Sequence, residues 1–172
     1  VQGSGRSCGT KLDSRDEEND IWIYDLARET LQRLTFDPGQ NRSPVWSPDG
    51  TRVASTTPVG NAENIYWQVA DGSGMPEPLT DNSDEIGLGM YANSFVPDGS
   101  ALLFNNNNID IWMATIDGTA ANSAPVLDSA ANETNPAVSP DGRWLAYQSN
   151  ESGKNEIYVR PFPEVNSGRW QI

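Results

Sequence analysis

Three aspartates stand in the same short setting: Ser47-Pro48-Asp49-Gly50, Val96-Pro97-Asp98-Gly99 and Ser139-Pro140-Asp141-Gly142. Paired carboxylates do general acid–base work, one giving a proton while the other takes one. A catalytic group is needed once, whereas these recur in every copy of the setting. The expectation is therefore that each carboxylate accepts hydrogens from its own turn. The acidic run Asp16-Glu17-Glu18-Asn19-Asp20 offers oxygen ligands of the kind calcium takes. It lacks the alternating Asp spacing and the Gly of a calcium loop, so a solvated loop is expected. Asn105 to Asn108 reads in the same way, as a turn. Trp22, Trp112 and Trp144 offer the faces of a ligand cage, but they lie in apolar stretches. With Trp46 and Trp67 they are expected to pack between neighbouring repeats. Cys8 sits among Gly and Ser with no base or helix end in sight to activate its thiol.

Other chemistry is excluded by what the chain lacks. It has no histidine and one cysteine in 172 residues. Ser-His-Asp and Cys-His catalysis, His-ligated metals, an internal disulfide and a Cys-cluster zinc site are all ruled out within it. There is no Gly-x-Ser-x-Gly nucleophile turn, phosphate loop or kinase catalytic loop. No catalytic, cofactor-binding or metal-ligating residue is assigned, no cofactor is expected, and no enzyme activity is expected within this chain. The net charge of −13 argues against binding nucleic acid, whose readers carry basic surfaces. Asn41-Arg42-Ser43, Asn132-Glu133-Thr134 and Asn150-Glu151-Ser152 match the glycosylation pattern and are read as chance matches. No apolar run approaches the roughly 20 residues of a membrane span, so no direct membrane insertion is expected. Residues 1–20 contain no apolar stretch of the kind a secretory leader needs.

The elements that must position these side chains emerge from internal repetition. An apolar-aromatic stretch recurs at Asp20-Ile21-Trp22-Ile23-Tyr24, Asn64-Ile65-Tyr66-Trp67, Asp110-Ile111-Trp112-Met113 and Glu156-Ile157-Tyr158-Val159, in steps of 44, 46 and 46 residues. The Pro-Asp-Gly turns follow at steps of 49 and 43. Leu34-Thr35, Leu79-Thr80 and Leu127-Asp128 make a third mark. In each unit a short strand enters the turn and a second leaves it, as Arg143-Trp144-Leu145-Ala146-Tyr147 does. A polar loop then leads to the Ile-aromatic strand, and a further loop to the Leu-Thr strand. Pro suits the second position of such a turn, and Gly tolerates positive φ near its end. Four short antiparallel strands in about 45 residues cannot bury both faces of their sheet alone, and radial stacking of copies solves this. Ala27 to Arg33 is the best helix candidate, but it also reads as a hairpin, and no long helix is assigned.

The Ser-Pro-Asp-Gly turn, the Arg-Trp-Leu-Ala-Tyr return strand and the Ile-Tyr-Val strand resemble the TolB-type, WD-repeat-like β-propeller repeat. The resemblance covers roughly residues 12–172. It is most specific in Asp20 through Gly39 and in Asn150 through Ile172; both stretches look like the propellers attached to bacterial membrane serine/threonine kinases and like those ahead of prolyl-oligopeptidase-type peptidases. Val96 departs from the usual Ser. The fold expected is all-β, a single propeller of four-stranded antiparallel blades. Units lie near 12–35, 41–80, 89–128 and 135–172, which makes about 3.5 to 4 blades. That count suggests a partial ring or one completed by oligomerisation, and a homodimer is the favoured assembly. The resemblance implies a non-enzymatic scaffold for a protein or peptide partner, periplasmic or otherwise extracytoplasmic. The alternative it implies is the sensing or gating propeller of a larger kinase or peptidase.

Overall fold

Apolar residues that alternate between polar ones, and turns closed by Pro-Asp-Gly, give strands too short to bury themselves. The computed structural model describes residues 6–13, 18–60, 62–81, 89–107, 109–117 and 122–172, with backbone alone for 6–13 and Glu18. Asp16, Glu17, Asn108 and the side chain of Cys8 lie outside the described residues. The first sheet holds β1 (Arg6–Asp13), β2 (Glu18–Asp25) and β3 (Thr30–Arg33). The second holds β4 (Arg42–Trp46), β5 (Arg52–Val59), β6 (Ala62–Val69) and β7 (Glu77–Pro78). The third holds β8 (Met90–Phe95), β9 (Ala101–Asn106), β10 (Asp110–Thr115) and β11 (Asn122–Leu127). The fourth holds β12 (Glu133–Val138), β13 (Trp144–Ser149), β14 (Glu156–Pro161) and β15 (Trp170–Gln171). Each strand pairs antiparallel with the next in its sheet. Ala27 to Arg33 is a turn followed by β3, so the hairpin reading holds there.

These sheets are propeller blades. β4 packs on β8 and β8 on β12, so the first strand of each complete blade faces the axis. β1 also lies against β4, yet it pairs with β2 as β5 pairs with β6, and so occupies the place of a second strand. Among the described residues the first blade has no innermost strand. β4, β8 and β12 each carry a bulge at the same place, between Arg42 and Val45, Ala92 and Ser94, and Thr134 and Ala137. Such a bulge bends a strand and steepens its twist.

The core lies between blades. Ile21, Ile23 and Leu34 of the first blade meet Trp46, Val53 and Ala70 of the second. Ala54, Ile65 and Leu79 of the second meet Phe95, Leu102 and Phe104 of the third. Leu103, Ile111 and Leu127 of the third meet Leu145, Tyr147 and Tyr158 of the fourth. Each blade therefore has a forward face and a back face. The period of two along every strand sends alternate residues to one or the other. Burying one such Ile or Leu fully is worth about 1.5–3 kcal/mol.

Candidate binding surface

The turn aspartates are engaged by their own turns. Gly50 N–H donates to Ser47 O at 2.9 Å, with Gly50 at φ 70°. Ser47 Oγ donates to Asp49 Oδ1 at 2.6 Å and accepts from Arg52 N–H at 2.9 Å. Asp49 also accepts from Thr51 N–H at 3.0 Å and from Thr51 Oγ1 at 2.8 Å. Ser139, Asp141 and Arg143 repeat the pattern, and Arg143 Nε adds a charged donor at 2.7 Å. Asp98 keeps only its Ser100 partners, because Val96 has no hydroxyl. The Ser47 hydroxyl holds the Asp49 carboxyl below its ordinary value, as Ser100 does for Asp98. Ser139 first and then Arg143 hold Asp141 down to about 2. Carboxylates so depressed stay ionised and are poor proton donors. The turns also neighbour one another along the arc. A Cβ on Gly99 would stand 3.9 Å from Pro48 Cδ, and one on Gly142 3.8 Å from Pro97 Cδ.

The Leu-Thr mark is a latch. Thr35 Oγ1 accepts from Ile21 N–H at 2.9 Å and donates to Asp20 Oδ1 at 3.0 Å. Thr80 Oγ1 does the same for Ile65 N–H at 2.8 Å and Asn64 Oδ1 at 3.3 Å. Asp20 is buried and is further held by Arg33 at 2.7 Å. In the third blade Asp128 stands where Thr would, beside Asp110. Burial first, and then the Asp128 charge, push the Asp110 carboxyl up. Sequence reasoning passed over this pair. Its signal was Leu127-Asp128 in the place of Leu-Thr. Among the described residues no three Asp, Glu or Cys side chains are grouped to hold a metal.

The tryptophans divide. Trp46 is buried between the first two blades, and Trp112 packs into the joint between the second and third. Trp67 stacks on Phe95 across that joint, with ring centroids 6.4 Å apart. Trp144 breaks the expectation of inter-blade packing: it is on the forward face of the fourth blade, which no described residue covers. Asn41 of the first glycosylation match is buried and accepts from Thr57 Oγ1 at 2.9 Å.

Among the described residues, two concavities could take a ligand. One, of about 410 Å³, is lined by Asp37, Pro58, Tyr66, Trp67, Gln68 and Met75. Its walls are mostly apolar, with the Asp37 carboxylate and the Tyr66 hydroxyl as polar features. The other, of about 450 Å³, lies between the turns of the second and third blades, against Asp49, Arg52 and Asp98. Mostly apolar clefts of this size with a few polar groups are the common form of a binding pocket.

No protein-family model matches the chain. It is 33% identical over 140 residues to a TolB homolog of Chlorobium luteolum, covering 80% of this chain and 30% of that protein. It is 24% identical over 161 residues to the uncharacterized peptidase YuxL of Bacillus subtilis, covering 90% of this chain and 23% of the peptidase. The chain thus spans less than a third of the length of either. The solved TolB of Acinetobacter baumannii superposes with a TM-score of 0.78 at 23% identity, over 98% of this chain and 41% of that one. The stacked antiparallel blades define an all-β propeller. Its repeat is of the TolB type, as the turn and strand motifs indicated.

Proposed function

We propose that this propeller segment is a non-enzymatic scaffold that holds a protein or peptide segment. The observation that carries the reading is how the turn carboxylates are used. Asp49, Asp98 and Asp141, the recurrent candidates for acid–base work, are committed to turn hydrogen bonds, while a mostly apolar cleft of about 410 Å³ stays open. The charge of −13 favours basic or neutral partners over nucleic acid. A single propeller segment with units near 12–35, 41–80, 89–128 and 135–172 is the organisation that goes with it. No catalytic, metal or cofactor residue is assigned. The extracytoplasmic setting implied by the TolB-type resemblance suits such a role, without direct membrane insertion and with a homodimer as one form of assembly. Trp67 lines the cleft and reports on it. Titrating the chain with a library of basic and neutral peptides, read by tryptophan emission, should give saturable binders that Trp67→Phe silences. Binders that survive blocking substitutions at Met75 and Tyr66 would remove the cleft from the proposal.

A second reading is the sensing or gating propeller of a larger enzyme. The likeness to YuxL supports it, since 90% of this chain aligns to 23% of a peptidase. A hydrolase or kinase domain in the flanking reading frame decides for it.

A further inference from the structure

The second strand of each complete blade places its fourth residue on the back face: Ser55 in β5, Phe104 in β9 and Tyr147 in β13. The residue paired with it on the next strand is aromatic in all three, as Tyr66, Trp112 and Tyr158. Phe104 and Tyr147 are 0% and 2% exposed and fill the joints with the blade before. Ser55 stands where those rings stand and has no ring to offer. The cleft of about 410 Å³ lies there, between Thr35 to Pro38 and the back face of the second blade. An apolar cavity of about 150 Å³ already takes benzene, so the cleft has room for a ring and the chain that carries it.

The groups that hold the ring in the fourth blade have counterparts in the second. Tyr147 stacks on Tyr158 with centroids 5.9 Å apart, and its hydroxyl accepts from Arg160 Nε at 2.8 Å. Gln68 has the place of Arg160: it pairs with Val53 as Arg160 pairs with Leu145. Ser55, Tyr66 and Gln68 all line the cleft. Gln68 Nε2 is committed to Leu34 O at 2.7 Å, which leaves Oε1 to accept. Ser55 is 6% exposed, yet among the described residues its hydroxyl has no hydrogen-bond partner and no ring stacks on Tyr66. A buried hydroxyl in that state costs free energy until a ligand or water meets it. Phe36, between the lining residues Thr35 and Asp37, is 72% exposed and lies under the Arg33 guanidinium at 5.0 Å, so it does not fill the place.

We infer that the cleft receives the side chain of a tyrosine carried by a basic peptide. Its ring stacks on Tyr66 as Tyr147 does on Tyr158, and its hydroxyl donates to Gln68 Oε1. Asp37 is the charged residue of the lining, with no Lys or Arg beside it there, so basic residues flanking the tyrosine are favoured. The inference rests on the reading of this cleft as a peptide site and names the side chain it selects.

Calorimetric titration of the whole chain compares three blocked peptides: Lys-Tyr-Lys, Lys-Phe-Lys and Lys-Ala-Lys. The tyrosine peptide is expected to bind about tenfold tighter than the alanine one, through ring burial and stacking. It should bind about fivefold tighter than the phenylalanine one, through the hydroxyl bond. Gln68→Leu should erase that second difference. Ser55→Phe supplies the missing ring from within, so it should raise the melting temperature and abolish tyrosine-peptide binding. If Ser55→Phe does not fold, Tyr66→Ala serves: it should weaken the tyrosine peptide severalfold and leave the alanine peptide unchanged. Equal binding of the three peptides overturns the inference, as does tyrosine-peptide binding that a folded Ser55→Phe or Tyr66→Ala leaves untouched. Where equal binding is blocked by Met75→Arg, the cleft still holds peptides and the choice of tyrosine alone is lost. No binding by any of the three also overturns the inference, and the wider reading then stands or falls with the peptide library.

Discussion

Asp141 illustrates how a carboxylate can look catalytic and serve the backbone. Its depressed pKa adds stability above the ordinary value of 3.8, and that stability fades as pH falls toward about 2. Asp141→Asn should therefore lower the urea midpoint at neutral pH and flatten its decline in acid. An acid limb identical to that of the parent would contradict the assignment. Asp110 has the opposite sign. Its pKa is raised, so the folded state loses ground as pH climbs through that value. Asp128→Thr removes the neighbouring charge and restores the hydroxyl found in the other latches. It should stabilise the protein at neutral pH by about 1 kcal/mol, the worth of one net hydrogen bond. The part of the gain that comes from relieving charge repulsion should vanish in acid, where Asp110 is protonated, while the hydrogen-bond part should remain; denaturation curves at the two pH values measure the difference.

A blade is set by a few such contacts repeated in order. Replacing the buried Thr80 by Val leaves Ile65 N–H without its acceptor, which should cost about 1–3 kcal/mol in urea unfolding. A cost below the error of the extrapolation would mean that the latch is ornamental. Turn and Ile-aromatic strand were legible in the residues because each depends on local chemistry: Pro and Gly for the turn, alternation for the strand. Leu-Thr was legible only as a recurring mark, and the latch its hydroxyl makes just past the strand shows only in the folded chain. The place of β1 was not legible. Gly3, Gly5 and Gly9 weaken the strand pattern there, and only its pairing with β2 identifies it as a second strand. The Asp110–Asp128 approach and the clefts were hidden for another reason: both arise from strands folding back and blades stacking, and no spacing in the chain encodes them directly. Trp144 was misjudged because its strand matches its counterparts in every local respect. What differs is the neighbour.

That difference is measurable across the arc. Ile65 and Ile157 hold one register position in two blades, buried in the first case and half open in the second. Ile65→Ala should cost about 2–5 kcal/mol, as cavities in a packed core do. Ile157→Ala should change stability by only about 0.5 kcal/mol, as at a surface site. Equal losses would show that the fourth blade's forward face is covered after all. The neighbouring turns carry a consequence for how this architecture tolerates change. The segments joining first to second strands, 47–51, 96–100 and 139–143, are all the same length, and Gly99 and Gly142 each lie near the proline of the unit before, where a Cβ would come within 4 Å of it. The hairpins at the opposite rim, 60–61, 107–109 and 150–155, differ in length from unit to unit. An extra residue in the former would act as a wedge, tilting every later unit off the axis, whereas the latter already vary in length from unit to unit. Growth and novelty by insertion are thereby confined to a single rim.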